Sequence, residues 1–277
     1  MGCLRGGEYS DGCEVDWTLN AADRATLQSY PGELAVLHSS LGLEGDNLTA
    51  RGLRIAGIAS SCGDDMSGFT VGGANDVIEF SSVYGVTQHG ILTHTNSSNT
   101  TIHGNFIESV GSECNLDHGI YFQRSGRITR NVIKDTRCGY GIHLYESPSN
   151  VVVAQNTSVG SRVRAGILIN CSSNCRIVNN IFAQNATEGI TYRACSSGCV
   201  VDNNIAWQNG LGAVGDSLAH LATRTLIVSP LFADAEYRVT ALSPAVDAAR
   251  TDFSFFPDRD GVPTTLGLLP DLGAYER

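Results

Sequence analysis

The sequence predicts an all-β protein: a right-handed parallel β-helix with three short strands per coil and a C-terminal capping segment. Three observations carry this. A Gly-Ile segment recurs at coil spacing, an Asn recurs after a second apolar run, and apolar positions alternate by two. The Gly-Ile segments are His89-Gly-Ile-Leu-Thr-His94, His118-Gly-Ile-Tyr-Phe-Gln123, Tyr140-Gly-Ile-His-Leu-Tyr145, Ala165-Gly-Ile-Leu-Ile-Asn170 and Glu188-Gly-Ile-Thr-Tyr-Arg193. Their glycines stand at 90, 119, 141, 166 and 189.

After each comes a polar turn and a second apolar run, such as Thr100-Thr-Ile-His-Gly-Asn105, Arg127-Ile-Thr-Arg-Asn131, Val151-Val-Val-Ala-Gln-Asn156 and Cys175-Arg-Ile-Val-Asn-Asn180. A third run follows, as in Asn131-Val-Ile-Lys-Asp135 and Asn180-Ile-Phe-Ala-Gln184. Each run is too short to hold a core alone, so coils of about 23 residues must stack to bury a continuous apolar column. The recurring Asn suits such a turn, because Asn tolerates left-handed backbone and its amide can hydrogen-bond up and down a ladder. Stacked helices fail as a rival reading, since the period is two and β-branched residues dominate. Weaker matches extend the pattern toward the N-terminus: Arg24-Ala-Thr-Leu-Gln-Ser-Tyr30, a Pro31-Gly-Glu33 turn, Leu34-Ala-Val-Leu37, Asn47 to Ile55 and Asp76-Val-Ile-Glu-Phe80. Residues 1–277 are therefore expected to form one domain, with N-terminal coils and cap over 1–50, central coils over 51–212, and a last coil and capping tail over 213–277.

These residues resemble the right-handed β-helix repeat proteins of the pectin-lyase-like superfamily. The resemblance rests on the Gly-Ile repeats, the Asn-Asn-Ile turns, Tyr30-Pro-Gly-Glu33, and a tail of Ser229-Pro-Leu-Phe232, Ser243-Pro-Ala-Val-Asp247 and Pro270-Asp-Leu-Gly-Ala-Tyr-Glu276. It implies that the tail folds over the open end of the solenoid, where strand edges are unpaired. The superfamily includes lyases, hydrolases, epimerases and proteins without known catalysis, so the resemblance speaks to fold more than to reaction.

Composition narrows the partners. The formal charge of −10 argues against nucleic acid, and no segment has the apolar run needed to cross a membrane. Lys134 is the only lysine among 18 basic residues; the arginines suit two-point binding of carboxylates or sulfates. Nine cysteines point to an oxidising compartment, secreted or periplasmic. Met1-Gly2-Cys3 lacks the charged start and apolar core of a secretion signal, so the chain is expected to be a mature form, acting as a monomer. Cys171 with Cys175 and Cys195 with Cys199 occupy corresponding turns and are expected to bond within or between coils; a four-thiolate zinc site is the alternative. Cys114 with Cys138 and Cys3 with Cys13 are further expected pairs, leaving Cys62 over. Asp258-Arg-Asp-Gly261 is a candidate calcium loop.

Alternation sorts the first strand of each coil. The first and third residues after the shared Gly point inward, so the second and fourth point outward and stack in columns about 4.8 Å apart. Tyr121 should neighbour His143, and His89, His118 and Tyr140 sit at the lip. His118, Tyr121, His143 and Tyr145 are the catalytic candidates, an imidazole base with a phenolic acid. His94, Asp117, Arg124, Glu146 and Arg193 are candidates for substrate binding. In related lyases and epimerases catalysis falls on this kind of face. The expected function is β-elimination on a uronate-containing, acidic polysaccharide. A C5-epimerase, a hydrolase using Asp117 and Glu146, and a non-catalytic glycan-binding or surface-structural protein are the alternatives.

Overall fold

A computed structural model describes every residue except 11, 59, 64–65, 146, 171, 194–195 and 216–223. The chain winds into three nine-stranded sheets in which each strand pairs with the equivalent strand one coil before and after. Sheet 1 contains Ile91–Thr93, Ile120–Phe122, Ile142–Leu144, Ile167–Ile169 and Glu188–Tyr192; sheet 2 contains Thr100–His103 and sheet 3 Phe106–Glu108. All three are parallel.

The repeat sets the register of sheet 1. Ile91, Ile120, Ile142, Ile167 and Ile190 pair in succession, and all are fully buried. The glycine before each isoleucine answers to crowding between coils. A Cβ on Gly90 would lie 2.5 Å from the Gly119 carbonyl oxygen, and one on Gly119 2.4 Å from that of Gly141.

The turn after sheet 2 divides between two residues the roles expected of one Asn. Positive φ falls on Gly104, Arg130, Gln155, Asn179 and Asn203, at 52–63°. The residue that follows each, Asn105, Asn131, Asn156, Asn180 and Asn204, points inward and builds a buried amide ladder. Each Nδ2 donates to the next Oδ1 at 2.9–3.0 Å, and each Oδ1 also accepts the backbone N–H of the preceding rung at 2.9–3.0 Å. Each Nδ2 donates in addition to a carbonyl of the previous coil, as from Asn156 to Ile128 at 2.8 Å. Buried amides demand this completeness, because an unpaired one costs about 1–3 kcal/mol.

The left-handed residues point outward and grip the tail. Arg130 donates to the carbonyls of Phe255 and Gly273 and to the Glu276 carboxylate, and both charged side chains are fully buried. Gln155 accepts the Phe255 N–H at 2.7 Å and donates to the Asp271 carbonyl. Asn179 holds Arg250 and Phe253, and Asn203 holds Ala248. Tyr275, Ala274 and Leu272 thereby cover Phe106, Val132 and Ile181 on the outer face of sheet 3. The tail thus caps the flank of the stack rather than folding over its end, because four successive coils offer side chains along that flank.

Three disulfides join described cysteines: Cys13–Cys62, Cys114–Cys138 and Cys175–Cys199. The last two span 24 residues, one coil. The expected Cys3–Cys13 bond is replaced, and Cys62 is not the residue left over. Cys3 lies on a strand of sheet 2 and is exposed and unbonded, whereas Cys13 precedes a strand of sheet 1 and meets Cys62 there. Cys171 and Cys195 lie outside the described residues. The candidate calcium loop is closed by its own amides: Asp258 Oδ1 accepts the N–H groups of Asp260 and Val262, Oδ2 accepts that of Glu276, and Asp260 pairs with Arg238.

Asn156→Asp tests the ladder with almost no change of shape. The carboxylate cannot donate, so the Ile128 carbonyl and Asn180 Oδ1 lose their donor inside the core. A loss of at least about 3 kcal/mol is expected, read as a lowered urea midpoint.

Candidate functional site

Outward side chains of sheet 1 build one broad cleft of about 910 Å3. Alternation dictates its floor. Tyr121 pairs in register with His143, and His143 with Leu168. Tyr121 stacks on His89 at 4.9 Å and on Tyr145 at 5.9 Å between ring centroids, both at 24°. His118 meets His143 edge-on at 4.4 Å, and Tyr140 packs against both. Flat rings in a row at coil spacing give a sugar chain an apolar surface to lie on.

The walls come from turns. The turn Gly111–Asp117 is braced by Cys114–Cys138 and by Asp117 Oδ2, which accepts the N–H groups of Ser112 and Glu113. It carries Asn115, at φ 77°, and the exposed Leu116 to the cleft edge. Asn115 Oδ1 accepts from Arg164 Nε at 2.8 Å, fixing that guanidinium over the cleft, and Arg193 lines the same cavity.

The sequence-predicted residues therefore separate. His118, Tyr121, His143, Tyr145 and Arg193 line the cleft. His94, just past the end of the sheet 1 strand Ile91–Thr93, does not line it, and its carbonyl holds Ser97. Asp117 is buried and holds its own turn, and Arg124 donates to the Thr95 carbonyl away from the cleft. Glu146 lies outside the described residues. Sequence reasoning missed Arg164 and Asn115. The signal was the 29-residue step between Gly90 and Gly119, where the extra length forms the wall that positions Arg164.

No carboxylate lines the cleft among the described residues, while two arginines do. The histidines add no charge. Burial, then neighbouring His94, lowers His89 to about 4. Burial, then His89 and Arg193, lowers His143 to about 3. Burial, then His143 and His89, pushes His118 well below the usual range. All three are neutral at neutral pH. The unfolded chain, with an ordinary histidine near 6.5, takes up protons that the folded chain refuses. Each of these groups therefore destabilises the fold as pH drops below about 6.5, and the loss is complete only below the folded pKa. His89→Asn retains an oxygen to accept the His118 N–H that His89 Nδ1 accepts at 3.0 Å, and it does not titrate. Its stability is expected to fall less than the parent's, by up to about 2 kcal/mol, between about pH 7.5 and about pH 5. Denaturation at the two pH values measures this; equal losses would refute it.

Residues 51–223 match the protein family described as "Periplasmic copper-binding protein (NosD)". No curated protein matches the chain. Among solved structures, pectate lyase Pel9A superposes with a TM-score of 0.57 at 13% identity, over 99% of this chain and 87% of its own. The periplasmic alginate epimerase AlgG gives a TM-score of 0.46 at 14% identity, over 82% of this chain and 73% of its own. At such identities the likeness to Pel9A is one of fold.

Proposed function

The chain belongs to the NosD family, and from that premise we propose that it is a secreted or periplasmic protein whose sheet 1 cleft takes an acidic, uronate-containing polysaccharide. The observation that carries this reading is the cleft's sign. A protein of charge −10 presents here two arginines, an aromatic floor and, among the described residues, no carboxylate. Arginine's planar fork matches a carboxylate, and the rings match pyranose faces. The fold is shared with a pectate lyase, which agrees with a polyuronate partner. Three disulfides fit an oxidising compartment.

Copper does not fit the described residues. Copper sites are built from imidazole, thiolate or thioether ligands. Among the described residues no three His, Cys, Asp or Glu side chains converge in a metal-binding arrangement, and the unbonded Cys3 is on the first strand, far along the stack from the cleft histidines. No step is assigned to the ion.

The reaction we assign is β-elimination. The C5 proton passes to a base, the electron pair forms C4=C5, the C4–O4 bond breaks, and O4 leaves with a proton from an acid. Arg164 and Arg193 neutralise the carboxylate. Tyr121 and Tyr145 supply the oxygens that carry the two protons, one as phenolate and one as phenol. Hydrolysis by paired carboxyl groups lacks its first member, since Asp117 is buried in its own turn. Burial of the three cleft histidines favours a second reading, binding without turnover.

A panel of polygalacturonate, alginate, glycosaminoglycans and neutral glycans decides. Unsaturated-uronate absorbance is expected with a polyuronate and with no neutral glycan. Reducing ends without that absorbance would refute elimination, and binding without either product would establish the binding-only role. Tyr145→Phe and Tyr121→Phe are each expected to lower kcat by about 100-fold or more, and Arg193→Ala to raise KM about tenfold.

A further inference from the structure

We propose that His118 is a positioning residue that fixes the ring proton of His143 on Nε2, an unpartnered N–H donor beneath the floor of the cleft that meets a carboxylate oxygen of the bound polymer. The assignment of a carboxylate rests on the function proposed above; the fixed donor does not.

Tyr140 N–H points at His118 Nδ1 across 3.2 Å. An amide can only donate, so Nδ1 must offer its lone pair, and the ring proton of neutral His118 sits on Nε2. His118 Nε2 lies 2.7 Å from His143 Nδ1. Since the former carries the proton, the latter accepts, and His143 keeps its own proton on Nε2. The Asp117 carbonyl also lies against the His118 ring, but the opposite arrangement would turn a His118 Nδ1–H against the Tyr140 N–H, two donors face to face. Glycine at 139 is what lets Tyr140 come so close: a Cβ there would stand 2.2 Å from His118 Nδ1 and 1.8 Å from the Asp117 carbonyl oxygen. The two rings are 2% and 8% exposed, and that burial keeps the pair neutral.

His143 Nε2 ends this chain of bonds. It is buried and meets no hydrogen-bond partner in the protein, although its ring lines the cleft. A buried donor without an acceptor is costly, and the cleft is where an acceptor can arrive. Arg164 and Arg193 on the same cavity select a negatively charged one. Two consequences follow. His143 offers the substrate a proton to share and no lone pair, so it binds and polarises rather than abstracts. For the same reason its Nε2 is closed to a metal ion in this state.

Long-range 15N–1H correlation of the 15N-labelled, unmodified protein reads the tautomer without any ligand. His143 Nε2 is expected in the protonated range and Nδ1 in the unprotonated range; the reverse would overturn the proposal. His118→Gln places an amide N–H donor where Nε2 was and is expected to preserve the His143 pattern. His118→Leu removes the donor and should leave His143 a mixture of tautomers; an unchanged pattern in that variant would overturn the role of His118. Polygalacturonate added to the parent is expected to shift the His143 Nε2 resonance. His143→Gln, which keeps an N–H and has no base, is expected to bind polygalacturonate within about threefold of the parent, with His143→Leu about tenfold weaker. A correct tautomer with no response to polygalacturonate would overturn the carboxylate contact and leave the fixed donor standing. A reversed tautomer with normal binding would overturn both the fixed donor and the His143 contact, and leave standing only the reading of the cleft as a polysaccharide site.

Discussion

The buried amide ladder from Asn105 to Asn204 is the constraint on which the other features depend. A parallel solenoid must return to the same height every coil, and its turns expose backbone groups to an apolar interior. Each ladder amide meets both demands. It accepts one backbone N–H, donates to one carbonyl and hands its second donor to the next rung. A coil that slipped by one residue would present an apolar side chain to this column and orphan several polar groups at once. Strict stacking follows, and with it the columns of sheet 1.

Those columns are what place imidazoles and phenols in contact. His143 and Tyr121 are distant in sequence yet sit on adjacent strands because Ile142 pairs with Ile120. The same stacking puts the left-handed residues Arg130, Gln155, Asn179 and Asn203 in a row on the flank, where they hold the tail. The buried Arg130–Glu276 pair is tolerable there because two carbonyls also receive the guanidinium. The tail in turn covers the apolar outer face of sheet 3 and leaves the sheet 1 cleft open.

Electrostatics completes the division of labour. Carboxylates away from the cleft are engaged in ion pairs, such as Asp202 with Arg224 and Arg250, or Asp234 and Asp260 with Arg238. The cleft keeps arginines and excludes described carboxylates, so it can attract an anion that the molecule as a whole repels. Burial keeps its histidines neutral and turns them from titrating groups into oriented hydrogen-bonding groups.

The sequence by itself determined the coil, the inward isoleucine column, the amide ladder and the outward Tyr121–His143 neighbours. Those follow from a period of two within strands and a repeat between them, and both are local. Tertiary structure alone decided which polar residues face the cleft. Asp117 and Arg124 look like ligands in a linear reading, but Asp117 holds its own turn and Arg124 the carbonyl of Thr95 on the neighbouring coil. Arg164 looks incidental until a longer turn two coils away, braced by Cys114–Cys138, brings Asn115 against it. The partner of Cys13 and the path of the tail were likewise settled by distances between coils. Alternation fixes the face a side chain takes; what it meets there depends on turns whose lengths obey no period.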